Sequence, residues 1–97
     1  MRIGKFRKDP ADRKRYVVDY ADWLNQSTVE TIVGVTMQGN YPADDFYVDG
    51  YTVDTGGLQV IFYVSGGVSG TSYDAYITIT TSLAQIKEDF ITFVVAD

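Results

Sequence analysis

The chain has 97 residues and contains neither cysteine nor histidine. Its length is that of one domain, no disulfide can form, and the thiolate and imidazole groups of most zinc sites and of Ser–His or Cys–His catalysis are absent. Apolar residues make up 45% of the chain and charged residues 22%, as in ordinary globular proteins.

The charge is distributed unevenly along the chain. Residues 1–15 hold seven basic and two acidic residues, a net charge of +5, whereas residues 16–97 hold one lysine and eleven acids, a net charge of −10. Pro10 and the lack of apolar periodicity predict an extended basic N-terminal arm over residues 1–15, followed by one folded domain over residues 16–97. Such an arm suits docking on an acidic neighbouring subunit; a solvated tail and nucleic-acid binding are the alternatives.

The first elements after the arm follow from residue type. Residues 16–20 are β-branched and aromatic, which predicts a short strand, and Asp22-Trp23-Leu24 predicts a helical turn capped by aspartate. Apolar residues at alternate positions predict a strand over residues 29–37. Residues 46–54 predict another strand, interrupted at Gly50 by a bulge or a turn.

The second half of the chain alternates more regularly. Residues 58–64 and 71–81 predict two strands joined by a glycine-rich turn, and Tyr73 has the setting of a tyrosine corner. Residues 84–95 predict the last strand, with a register shift near Phe90 to Phe93. Six or seven short strands with frequent turns predict an all-β fold. We expect an immunoglobulin-like antiparallel β-sandwich of about seven strands, with a small barrel as the alternative.

Two motifs resemble ligand-binding sites, and both are better explained as ordinary segments between strands: a solvated acidic loop and a turn. Asp44-Asp45, with two more aspartates downstream, lacks the ligand alternation of a calcium-binding EF-hand loop. Residues 65–70 lack the Gly-Lys-Ser/Thr ending of a phosphate-binding loop and precede a strand. With no histidine, a serine nucleophile would depend on Lys87 as its base. We therefore expect a protein that is not an enzyme, with no catalytic residue, no cofactor and no metal.

The candidate site residues are of the kinds that form protein interfaces, because basic side chains orient partners and aromatic side chains anchor them. One candidate set lies in the arm: Arg2, Lys5, Phe6, Arg7, Lys8, Arg13, Lys14 and Arg15. A second lies in a tyrosine-rich, acidic segment: Tyr41, Phe46, Tyr47 and Tyr51. No apolar run is long enough to cross a membrane, and no secretory signal pattern is present.

Several motifs together resemble a known family. Lys8-Asp9-Pro10-Ala11-Asp12, followed by Tyr16, Asp19 and Asp22-Trp23-Leu24, resembles the K-D-P-x-D … Y-x-x-D-x-x-x-W-L opening of phage fiber-tail adaptor proteins. Residues 65–73 resemble the S-G-G-x-x-G-x-x-Y segment of that family, and residues 79–82 resemble its I-T-T-S ending. The resemblance covers about residues 8–95 and departs at Leu83, where the family pattern has glycine.

The resemblance implies a small immunoglobulin-like virion protein that joins tail fibres to the tail or its adaptor ring. It also implies many copies in a symmetric assembly, other phage tail proteins as partners, and assembly in the bacterial cytoplasm. The residues alone leave two other functions open. One is a carbohydrate- or receptor-binding module that uses its tyrosines, and the other is nucleic-acid binding through the arm.

Overall fold

Two β-sheets pack face to face in this chain. The computed structural model describes residues 1–24, 30–39 and 46–96. These ranges contain one short helix, α1 (Ala21–Leu24), and no helix there is long enough to cross a membrane. The strands are β1 (Arg2–Lys8), β2 (Arg13–Asp19), β3 (Ile32–Gly39), β4 (Phe46–Val53), β5 (Gln59–Gly66), β6 (Thr71–Thr81) and β7 (Ile86–Val95).

The strand order defines a sandwich-like arrangement of a larger and a smaller sheet. The larger sheet has the order β1-β7-β6-β3, and the smaller one has the order β2-β5-β4. Every pair is antiparallel except β1 with β7, which is parallel. The all-β prediction is therefore confirmed.

The first fifteen residues do not form a separate arm. Residues 2–8 pair with β7, from Arg2 opposite Phe90 to Lys8 opposite Val95, and residues 13–15 begin β2. This corrects the expected extended arm. β1 carries few apolar side chains, so its membership of the sheet depends on backbone hydrogen bonds to β7, which leave no periodic pattern in the sequence.

The core comes from the inward faces of the three strands with the most regular alternation, β5, β6 and β7. Burying each large apolar side chain there stabilises the fold by about 1.5–3 kcal/mol. The innermost apolar residues of these three strands, each at most 2% exposed, are Val60, Phe62, Val64, Tyr73, Ala75, Ile77, Ile79, Ile91, Phe93 and Val95.

Strand registers test two further expectations. The pairing of β6 with β7 is continuous from Thr71 to Thr80, so the predicted shift near Phe90 is wrong for that pair. The irregularity lies instead in β1, between Arg2 and Gly4, opposite Phe90. In β4 the register shifts between Asp49 and Thr52, around Gly50, which confirms the bulge.

The corner between β5 and β6 is fixed by Tyr73. Its hydroxyl accepts a hydrogen bond from the Val68 backbone N–H at 3.0 Å, the interaction expected of a tyrosine corner. Its ring stacks on Phe46 with centroids 4.3 Å apart. Gly67 has φ +101, and a Cβ there would lie 2.6 Å from a methyl group of Val95.

The turn between β6 and β7 rests on a buried carboxylate. Glu30 is buried and accepts hydrogen bonds from the Thr81 hydroxyl and, at 3.0 Å, from the Gln85 amide. In this turn the positive φ, 64°, falls on Ala84. Leu83, which stands where the family pattern has glycine, is exposed.

Candidate functional site

The first two strands form the edges of the two sheets on the same side of the molecule. β1 ends the larger sheet and β2 ends the smaller one. The turn between them crosses from sheet to sheet and is closed by Asp9, whose backbone carbonyl accepts from the Asp12 N–H at 3.1 Å. The Asp9 side chain accepts from the Ala11 N–H at 2.9 Å. The chain thereby places the edge strands of two different sheets on the same side of the molecule.

These two strands carry seven of the eight basic residues of the chain and one acid, Asp19. Six of the seven basic side chains are exposed, and we refer to them as the basic edge. The basic edge consists of Arg2, Lys5, Arg7, Arg13, Lys14 and Arg15.

Arg13 and Lys14 of the basic edge contact aromatic rings of the chain itself. Arg13 lies 2.6 Å from the carboxylate of Asp49, and its guanidinium lies 4.3 Å from the ring centroid of Tyr63. The ammonium of Lys14 lies 5.7 Å from the ring centroid of Tyr16. An exposed ion pair such as Arg13–Asp49 contributes about 0–1 kcal/mol to stability. Its main effect here is to orient Arg13 on the outer face of the smaller sheet.

Lys8 differs from the other predicted arm residues because it is 3% exposed. Its ammonium donates hydrogen bonds to the carbonyl oxygens of Gly66 at 2.6 Å and Asp9 at 2.8 Å. Burial lowers the pKa of Lys8, against the opposing effect of Asp12 and Asp9. Lys8 therefore joins the end of β1 to the end of β5, and the structure leaves it no surface to offer a partner.

Between β1 and β2 lies a groove with a volume of about 460 Å³. Ile3 and Phe6 line it from β1, and residues 16–20 line it from β2. Phe6 is 44% exposed, although its ring centroid lies 5.2 Å from that of Tyr16. The groove thus presents apolar and aromatic surface between two basic strands.

One end of the groove contains a buried charge cluster. Asp89 is fully buried and accepts hydrogen bonds from the Tyr20 hydroxyl at 3.0 Å and from the Lys87 ammonium at 3.1 Å. Burial, followed by the charge and the hydrogen bond of Asp89, raises the pKa of Tyr20. Trp23 covers this end, with its ring 5.5 Å from the Lys87 ammonium. Since both Asp89 oxygens are engaged within the chain, the cluster serves to hold β2, β7 and α1 together.

Sequence reasoning missed this cluster, although the chain contains two signals for it. Lys87 and Asp89 are two apart in a strand, so they share a face. The helical turn was expected to be capped by Asp22. The Asp19 carboxylate instead accepts a hydrogen bond from the Ala21 N–H at 2.8 Å. The second signal is the position of Tyr20, directly between this aspartate and the helical turn.

The second candidate set is divided by the structure. Tyr47 and Tyr51 lie on β4 and are 57% and 41% exposed. Phe46 is 5% exposed and stacks on Tyr73, so it belongs to the core rather than to the surface. Tyr41 lies outside the described residues.

The aspartates that the sequence analysis rejected as calcium ligands have other roles where the structure describes them. Asp49 pairs with Arg13, and the Asp54 carboxylate accepts from the N–H groups of Leu58 and Gln59, both at 3.1 Å. Asp44 and Asp45 lie outside the described ranges. Within residues 1–24, 30–39 and 46–96 no group of three or more carboxylates could hold a metal ion.

The fold and the surface together define a small all-β domain with a basic edge beside an aromatic groove. Basic and aromatic side chains of this kind are suited to protein–protein contacts. A family described as podophage GP4 fiber-tail adaptor protein gp77 matches residues 8–94. The chain therefore belongs to this family of phage fiber-tail adaptors, which confirms the resemblance seen in its motifs. Membership implies a component of the phage tail with a structural role and with other tail proteins as partners. No curated protein matches the chain.

Proposed function

We propose that this chain is a non-catalytic adaptor that connects tail fibres to the tail through protein–protein contacts made by its basic edge. One observation carries the proposal. Six exposed basic side chains are gathered on two neighbouring edge strands, whereas residues 16–97 carry a net charge of −10. Charge separated in this way orients an incoming acidic partner and speeds its association.

We also propose that the scaffold is immunoglobulin-like. In that fold, strands C, F and G share one sheet and strands B, E and D share the other. The order β3-β6-β7 in the larger sheet and β2-β5-β4 in the smaller one corresponds to this arrangement, with β1 added beside β7. The hydrogen bond between Tyr73 and the Val68 backbone supports the same assignment.

The chain would work in several copies in a symmetric assembly formed in the host cytoplasm. Its own surface supports this, because the basic edge of one copy complements the acidic remainder of another. Each such contact is modest, and several engaged at once would give high avidity. Nucleic acid and membrane are not expected as partners.

A carbohydrate- or receptor-binding role is the second candidate, favoured by the exposure of Tyr47 and Tyr51 on β4. Exposed tyrosines present large, rigid contact surfaces. Binding to a glycan array that is lost in Tyr47→Ala would support this role over the adaptor role.

Particle incorporation tests the adaptor proposal directly. Arg2→Gln, Lys5→Gln and Arg15→Gln combined remove three positive charges from exposed positions of the basic edge. The matched control adds three negative charges at exposed positions of the larger sheet: Thr36→Glu, Gln38→Glu and Thr80→Glu. Both variants change the net charge by the same amount. We expect the first to incorporate into virions at least tenfold less than the wild type and the second to incorporate normally. Equal incorporation of the two variants would contradict the role of the basic edge.

A further inference from the structure

We propose that the groove between β1 and β2 binds an extended, acidic segment of a neighbouring tail protein. The segment docks as an added strand, with alternate apolar side chains in the groove and acidic side chains toward the basic edge. This inference rests on the proposed adaptor function and deepens it, since it names the site and the chemistry of the partner.

The dimensions of the groove fit a strand. Its walls run from Met1 to Phe6 on one side and from Tyr16 to Tyr20 on the other. At about 3.3 Å per residue, each wall is about 17–20 Å long, the length of a typical strand. The volume, about 460 Å³, is large enough for several side chains of an inserted segment.

The backbone on both sides of the groove favours strand addition. β1 and β2 each end a sheet, so each presents N–H and C=O groups along its outer side. Added strands use such groups for affinity and use side-chain pockets for specificity. At the opposite side of the sandwich, β3 and β4 lie against each other. The β1–β2 side is thus the more accessible one.

The groove also supplies anchors for apolar side chains. Phe6 faces the core but remains 44% exposed. Ile3 and Trp23 are half-buried against the core cluster. Charged residues alone would be enough to protect an edge strand from unwanted pairing. An exposed aromatic ring between those charged strands, Phe6, indicates a surface that is covered by a partner.

Charge selects an acidic occupant. The two strands that flank the groove carry six exposed basic residues and one acid. That acid, Asp19, lines the groove, and one of its oxygens is engaged by the Ala21 N–H. At the far end the charge of Lys87 is matched by the buried Asp89. The basic edge lies outside the groove lining, on the strands to either side, so positive charge meets the side chains of a docked segment that point out of the groove. Acidic side chains at those positions would be attracted and basic ones repelled.

Trp23 makes binding measurable, because it lines the groove and is the single tryptophan of the chain. The probe is a ten-residue peptide that alternates valine and glutamate, titrated into the full-length protein. The matched probe alternates valine and lysine. We expect a saturable change of Trp23 fluorescence with the first peptide, weakened at least tenfold between low and high salt, and no change with the second. Equal binding of both peptides, or a response to neither, would overturn the inference.

Variants locate the site. Phe6→Glu removes an aromatic anchor and adds a negative charge to the groove, and Tyr47→Glu makes a comparable change at an exposed aromatic residue of β4. We expect Phe6→Glu to weaken the glutamate peptide at least tenfold and Tyr47→Glu to leave it unchanged. Lys14→Glu, at an exposed position beside Tyr16, provides a second test if Phe6→Glu does not fold. Unchanged affinity in Lys14→Glu would count against the groove.

Two results separate this inference from the adaptor proposal. If the triple Arg2, Lys5 and Arg15 variant fails to incorporate into virions while Phe6→Glu and Lys14→Glu incorporate normally, the adaptor role stands and the groove is not its site. If Trp23 fluorescence changes with protein concentration alone and Phe6→Glu abolishes that change, a second copy of the chain occupies the groove, and the acidic partner segment is wrong.

Discussion

Tyr20 shows how one side chain can link the strands, the helix and the buried charge. It immediately precedes α1, its backbone N–H donates to the Leu58 carbonyl at 2.8 Å, and its hydroxyl donates to Asp89 at 3.0 Å. A buried carboxylate that loses one donor costs about 1–3 kcal/mol. Tyr20 therefore stabilises the fold through its hydrogen bond to Asp89 as well as through the burial of its apolar surface.

Tyr20 also predicts a loss of stability in alkali. Its folded-state pKa is raised by burial, whereas an unfolded tyrosine titrates near 10.0. The folded state thus retains the proton longer, so the stabilisation is complete below about pH 10 and is lost as the pH rises above that value. We expect Tyr20→Phe to lose less stability than the wild type between about pH 10 and 12, measured by urea unfolding.

The matched control for this prediction is Tyr76→Phe, since Tyr76 is a half-buried strand tyrosine that packs on Phe90. Lys8 contributes with the opposite sign and at pH values below its usual 10.5, because its pKa is lowered by burial and its burial becomes less costly as the pH rises toward that value. It is present in all three proteins and cancels in the comparison. The same alkaline loss in Tyr20→Phe and the wild type would show that Tyr20 is not its cause.

At the scale of elements, the corner between β5 and β6 depends on a close approach to β7. Gly67 and Gly70 both have positive φ, +101 and +88. A Cβ at Gly67 would lie 2.6 Å from Val95, whereas a Cβ at Gly70 would meet nothing within 4 Å. The two glycines therefore separate backbone strain from steric conflict.

Alanine substitution at each position makes that separation measurable. Both variants carry the strain of positive φ, about 1 kcal/mol for alanine. Gly67→Ala adds overpacking against Val95, about 1–3 kcal/mol. We expect the free energy of unfolding, measured by urea titration, to fall by that much more in Gly67→Ala than in Gly70→Ala. Equal losses would mean that β7 shifts to accommodate the methyl group at no cost.

At the scale of the whole molecule, the pairing of β1 with β7 changes the expected effect of deleting residues 1–15. An unattached arm over residues 1–15 could be removed without harm to the fold. In the structure this deletion removes β1 and the start of β2, the strand beside Ile91 and the Phe6 ring that packs on Phe93. We expect the truncated chain to lose the cooperative thermal transition of the full-length protein, followed by circular dichroism. A retained transition would show that β1 contributes little to stability.

Much of the fold could be predicted because most strands have one buried and one wetter face. The alternation in residues 58–64 and 71–81 reappears as the buried positions of β5 and β6, and the glycine interruption at Gly50 reappears as a bulge. Tyr73 was identifiable from the glycine-rich turn before it. The family was identifiable from motifs at fixed spacing, because such motifs are local in the sequence.

The candidate site was predicted only in part. Charge clustering is visible in a sequence, so it identifies the basic residues of the first fifteen positions as a candidate set. Their exposure is a different matter, and Lys8 is buried against Gly66 while Arg13 is paired with Asp49. Phe46 looked like its tyrosine neighbours but faces the core. Arg13 and Asp49 are 36 residues apart in the chain, and Lys8 and Gly66 are 58 apart, so no local sequence pattern predicts these contacts.

The all-β class, the alternating core strands, the separation of charge and the family follow from the amino-acid sequence, because each depends on residue type and short-range spacing. Three features emerge only in the folded chain: residues 2–8 form a strand beside β7, Asp89 is buried with Tyr20 and Lys87, and a groove separates β1 from β2. These features depend on which distant strands become neighbours. That choice depends on how distant faces pack together and on backbone hydrogen bonds between them, and neither is visible in a local pattern of residues.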